Sequence, residues 1–251
     1  MTLYKFLNED GTPCNGGSGR YHLPTDEEPG EWMPSIEGEL VPCTNGYHVC
    51  REQDLVRWIG PALFIAEAGN ERIVCDSKIV VRDIRLVRRL DGWNAQSART
   101  FACDCAERVL HLFEERLPDD KRPRACIETA RRFALGEASK EELNSARLAS
   151  YDAAYTAYTA LYAAADAADA AACTAAAHAV YAATYAASFI VYAAAPAAAH
   201  ATAAPAAAFA ALYAAADAAD VAAYAAAHAA AADEEIKWQT DLLLKYIEDV
   251  Q

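Results

Sequence analysis

No glycine occurs after Gly136, and that absence constrains the chain more than any other feature. The 115 residues beyond it lack the one residue that turns left-handed at no steric cost, so easy helix ends are missing. Alanine, the strongest helix former, fills 48 of the 82 positions from 151 to 232. Such a tract is helical almost throughout. A single rod over 140–251 would measure about 170 Å, too long to stand without partners. Pro196 and Pro205 are the natural breaks. The sequence therefore predicts at least two long antiparallel helices, with the chain folding back between 194 and 204.

The tract has internal order. Leu161 to Asp169 recurs unchanged 51 residues later as Leu212 to Asp220. Bulky or polar residues at 151, 155, 158, 162, 166, 169 and 173 step by four and three, an eleven-residue repeat that keeps a stripe nearly straight. Tyr155, Tyr158, Tyr162, Tyr181, Tyr185 and Tyr192 follow two readings. They fill grooves between alanine-faced helices with their hydroxyls wet, or they form an aromatic platform or groove for a ligand or partner. Residues 170–216 carry no Asp, Glu, Lys or Arg, and 175–195 matches a membrane span in length. That segment is mostly alanine, holds His178, Thr184 and Ser188, and has no basic flanks. A soluble chain is expected, with a span at 175–195 as the minor alternative.

Alanine also inflates the 54% hydrophobic content, so that figure does not signal a large greasy core. Net charge is −14, divided as −5 over residues 1–147 and −9 over 148–251. An acidic chain of this kind is unsuited to nucleic acid or to an anionic membrane surface. Eight cysteines are scattered from 14 to 173 rather than arranged as a compact disulfide framework. No secretory signal is visible at the first residues, and a reduced, cytoplasmic protein is expected.

Residues 1–92 read as a small α+β domain with a mixed β-sheet. Apolar and polar residues alternate in short runs at 3–7, 20–23, 39–42, 47–50, 63–66, 72–75 and 78–90, with a short helix at 53–59. From 93 onward the period becomes helical. An amphipathic helix is predicted from 94 to about 116, and a second starts at Pro123 and ends near Gly136. Ser139 and Glu142 then form a capping box for a third. The all-α part comprises amphipathic helices at 93–149, the alanine and tyrosine tract at 150–232, and a closing helix at 233–251.

Complete catalytic motifs are absent: there is no nucleophile elbow, phosphate-binding loop, zincin helix or dinucleotide fingerprint. Cys43 and Cys50 with His48 form the best metal-like set, because His48 and Cys50 share one side of an extended segment. The alternative is buried thiols around a core histidine. Cys103 and Cys105 lie on different sides of their helix and cannot chelate together. Asp119, Asp120, Arg122 and Arg124 suit caps and local ion pairs at a helix–helix turn. No cofactor is implied.

Two portions resemble known families. Leu3 to Leu7, Gly19-Arg20-Tyr21, Pro29 to Trp32, Pro42-Cys43, Gly46 to Cys50 and Arg85 to Leu90 resemble an uncharacterised domain widespread in actinobacteria and phages. Cys105 to Leu110, Pro118 to Arg124, Ile127-Glu128, Ala130-Arg131 and the distant Trp238-Gln239-Thr240 resemble an immunity-protein family associated with polymorphic toxin systems. That second resemblance implies a helical, non-catalytic domain that binds a protein. The strand Gly46 to Cys50 also resembles ADP-ribosyltransferase-like folds, although Tyr4 and Lys5 stand where an Arg or His is expected. The favoured function is a non-enzymatic protein-binding factor of bacterial or phage conflict systems. The first alternative is a ligand- or nucleotide-binding N-terminal domain that uses Arg20, Tyr47 and His48. The second is a structural protein that self-assembles through its Ala/Tyr helices.

Overall fold

The computed structural model describes residues 1–115, 117–165 and 232–248. Two compact units emerge, one from Met1–Asn94 together with Leu243–Gln251, the other from Ala95–Leu242. The break predicted at 194–204, the segment 175–195, and Tyr181, Tyr185 and Tyr192 lie outside the described residues.

The first unit holds six strands: β1 Leu3–Leu7, β2 Tyr47–Val49, β3 Ala62–Ala68, β4 Arg72–Val74, β5 Ile79–Val81 and β6 Ile84–Arg89. They form two three-stranded sheets, ordered β1-β3-β6 and β2-β5-β4. Every pairing between these strands is antiparallel, which corrects the expected mixed sheet. Inward residues of both sheets share one core, with Leu7, Phe64, Ile79, Val81, Ile84 and Leu86 at or near zero exposure. Burying such side chains stabilises by about 1.5–3 kcal/mol each.

The run at 78–90 reads as one strand but divides between the sheets. At the break, the Arg82 N–H donates to the Glu71 carbonyl at 3.2 Å, and the Gly69 N–H to the Asp83 carbonyl at 3.1 Å. Residues 20–23 and 39–42, also expected as strands, form none. Between them the chain runs as a strap beside β6, where Gly30, Met33 and Ile36 donate to the carbonyls of Leu86, Ile84 and Arg82. Pro29 and Pro34 suit this single-sided role, since an edge cover needs few donors. The helix expected at 53–59 is a 3-10 helix at Glu52–Arg57.

The second unit begins with α1 Ala95–Glu114, α2 Arg122–Ala134 and α3 Lys140–Ala165, and α4 Ala232–Glu248 starts within it. Gly136 ends α2 as the sequence predicts. It adopts φ 76°, and the Glu137 N–H reaches back to the Arg132 carbonyl at 2.8 Å, the bond of a Schellman turn. The capping box also forms in full: the Glu142 N–H donates to Ser139 Oγ at 3.1 Å and the Ser139 N–H to Glu142 Oε2 at 2.7 Å. Phe101, Phe113, Ile127 and Leu143 fill the core, and Ser150, Ala153 and Ala154 bury one face of α3. Cys103 and Cys105 are both buried, because α1 is enclosed on more than one side. No described helix is long and apolar enough to cross a membrane.

Candidate functional site

Tyr4 and Cys50 exchange two backbone hydrogen bonds of 2.9 Å, which stitch β1 to the end of β2. That pairing sets Lys5 beside His48, whose carbonyl accepts from Lys5 Nζ at 2.8 Å. Lys78 precedes β5, and β5 pairs with β2, so it arrives at the same place from the other side. A hollow of about 400 Å³ opens there, lined by Lys5, His48 and Lys78 with Tyr21, Tyr47, Trp58, Cys43 and the glycine-rich loop from Asn15. Its size falls within the range of small-molecule sites. Asn15 Nδ2 donates to the Trp58 carbonyl at 3.0 Å, and Trp58 Nε1 donates to the Ser77 carbonyl at 2.6 Å. These two bonds hold the loop, the 3-10 helix and the start of β5 around one rim.

The electrostatics follow from burial and from two nearby cations. Burial lowers Lys5 to about 8. His48 falls to about 4, first through burial and then through repulsion from Lys5 and Lys78. It is therefore neutral at pH 7. Its Nε2 accepts the Cys43 N–H at 3.1 Å, which assigns the ring proton to Nδ1. Burial pushes the Cys14 and Cys50 thiols up to about 11 and 12, so neither is ionised at neutral pH. Cys43 is exposed and left-handed at φ 65°, a conformation that costs about 1–2 kcal/mol without glycine. Its bond to His48 and the 2.7 Å contact from Lys78 Nζ to its Sγ hold it there.

Of the three ligand-binding candidates, Tyr47 and His48 line the hollow. Arg20 does not. It is exposed and pairs with Asp10 at 2.9 Å. Tyr47 braces the wall, donating its hydroxyl to the Pro34 carbonyl at 2.7 Å and meeting Tyr21 edge-on at 5.8 Å. The metal set is not assembled: Cys50 is buried with its Sγ against the Tyr4 carbonyl, and His48 Nε2 is taken by Cys43. Among the described residues no group of three suitable side chains could hold a metal. No Asp or Glu lines the hollow, so the carboxylate an ADP-ribosyltransferase-like site would use has no candidate there.

Lys5 and Lys78 escaped the sequence reading. One signal was present, a lysine in the middle of the otherwise apolar run Leu3-Tyr4-Lys5-Phe6-Leu7.

In the helical unit, the segment from Pro118 to Arg124 is structural. Asp120 accepts from the Arg122 backbone and guanidinium at 3.1 and 2.6 Å, and Arg124 bridges from α2 to Glu114 on α1 at 2.6 Å. Arg131 holds Asp104 and Glu107, both on α1. Arg108 stacks over the Trp238 ring at 4.5 Å, and Gln239 and Thr240 are buried beside it in sequence. Of the tyrosine stripe, Tyr155 is exposed on α3, and Tyr158 and Tyr162 lie on the same helix.

Residues 94–196 match the family model described as "Imm-5 like putative immunity protein". The match takes in α1, α2 and α3 and stops short of α4. No curated protein and no solved structure matches.

Proposed function

We propose that the chain is a non-enzymatic, immunity-like factor whose helical unit binds another protein. The observation that carries this reading is the family match over residues 94–196, where α1 to α3 lie. Among the helical unit's described residues, the buried thiols and the bridging arginines are committed to the fold. Burial pushes the thiols of Cys103 and Cys126 up to about 12, and Arg124 and Arg131 are spent on holding α2 to α1. The partner contact falls to the remaining surface, where the exposed Tyr155 is the residue to test first. The N-terminal unit is read as the uncharacterised actinobacterial and phage domain it resembles, fused ahead of the immunity-like part.

Capture on the immobilised full chain, followed by reconstitution from two purified components, tests this. A saturable complex of fixed stoichiometry, weakened by Tyr155→Ala, is the expected result. A chain that stays monomeric and alone at micromolar concentration overturns it.

A further inference from the structure

Among the described residues of the first unit, five of the eight arginines are ion-paired, and Lys5 and Lys78 are not. Arg20, Arg51, Arg82, Arg85 and Arg89 each hold a carboxylate. Among the described residues, no carboxylate lies within ion-pair distance of Lys5 or Lys78, although the chain carries 36 acidic residues. Lys5 spends one N–H on the His48 carbonyl and faces the Tyr21 ring at 5.2 Å. Lys78 touches Cys43 Sγ and faces the Trp58 ring at 5.2 Å. Both retain donors, and both line the same hollow. Leaving a desolvated cation unpaired is costly, and Lys5 shows that cost as its lowered proton affinity.

We propose that this hollow binds a phosphate-bearing small molecule, with Lys5 and Lys78 on its anionic group. Two further observations choose phosphate over a carboxylate, and a third chooses an organic phosphate over a bare ion. No arginine lines the hollow, so the planar fork that suits carboxylates is missing, while lysines bind phosphate as point charges. The backbone N–H groups of Gly16, Gly17 and Ser18 on the rim donate to nothing among the described residues, which leaves more donors for a many-oxygen anion. At about 400 Å³ the hollow also exceeds a bare ion, and with Trp58 and Tyr47 in its lining it has room for an organic portion. Neutral His48 lines the hollow without adding charge. The proposal is independent of the protein-binding reading, which concerns the other unit.

Calorimetry on the full chain at fixed ionic strength tests it with four probes: inorganic phosphate, adenosine monophosphate, adenosine and acetate. Saturable binding by both phosphate-bearing probes, and by neither of the others, is expected. Equal affinity for the two supports a free-phosphate site, and tighter binding of the nucleotide supports an ester. Lys78→Gln weakens binding by about tenfold or more, the value of one charge-assisted hydrogen bond, and Arg20→Gln leaves it unchanged. Lys5→Met repeats the test from the other side, and the Trp58 indole N–H resonance reports occupancy locally. No saturation by either phosphate probe, acetate binding as tightly as phosphate, or undiminished affinity in Lys78→Gln each overturns the proposal.

Discussion

The two units use the same positive charge for opposite ends. In the helical unit, Arg124 and Arg131 are consumed by the fold: they tie α2 to Glu114, Asp104 and Glu107 of α1. In the N-terminal unit, Lys5 and Lys78 sit at a hollow with no carboxylate beside them. The first arrangement leaves nothing for a ligand, and the second leaves charge unmatched until one arrives. Residue type fits each task, since an arginine fork bridges two carboxylates at once and a lysine presents a compact point charge to a phosphate.

That contrast can be broken or sharpened by substitution. The largest effect is expected at Phe113, which is fully buried in the helical core. Phe113→Ala should lower unfolding free energy in urea by about 3–5 kcal/mol. Arg131→Met strands two carboxylates on α1 and should cost about 1–2 kcal/mol, with phosphate affinity unchanged. A loss of phosphate binding in that variant would erase the distinction between structural and recognition cations. Ser139→Ala removes one half of the capping box and should cost about 1 kcal/mol, read from the thermal midpoint.

The pH-dependent effects belong to the N-terminal unit. His48 titrates near 4 when folded against 6.5 unfolded, so the unfolded chain binds more protons between those values. Stability therefore falls as pH drops from 6.5 toward 4. His48→Gln, which keeps an acceptor for the Cys43 N–H, should flatten that slope in acid denaturation. Lys5 carries its charge below about 8, so phosphate affinity should decline as pH rises through that value. Calorimetry across that range checks the decline, which Lys5→Met should abolish.

Local signals survived folding where neighbours in sequence supply both partners. The Ser139–Glu142 box, the turn at Gly136 and the Asp120–Arg122 ion pair all join residues no more than five positions apart. Alternation located β1 correctly at Leu3–Leu7. It failed at 78–90, because where a strand changes sheets depends on its partners, here Glu71 and Gly69. Residues 20–23 misled for a similar reason: the Tyr21 N–H goes to the Gly11 carbonyl instead of a ladder.

The site was legible only in part. Tyr47 and His48, expected from sequence to bind a ligand, do line the hollow, whereas Arg20, expected beside them, is held on the surface by Asp10. Composition and spacing alone determined a short-stranded first part and, among the described residues, helices after it, since propensity and periodicity are properties of neighbouring residues. Tertiary structure decided which cations remain unpaired. Lys5, His48 and Lys78 are separated by 43 and 30 positions, and they meet only because the Tyr4–Cys50 bridge and the β2–β5 ladder fold distant strands together. Charge matching is a property of that meeting, and no local pattern encodes it.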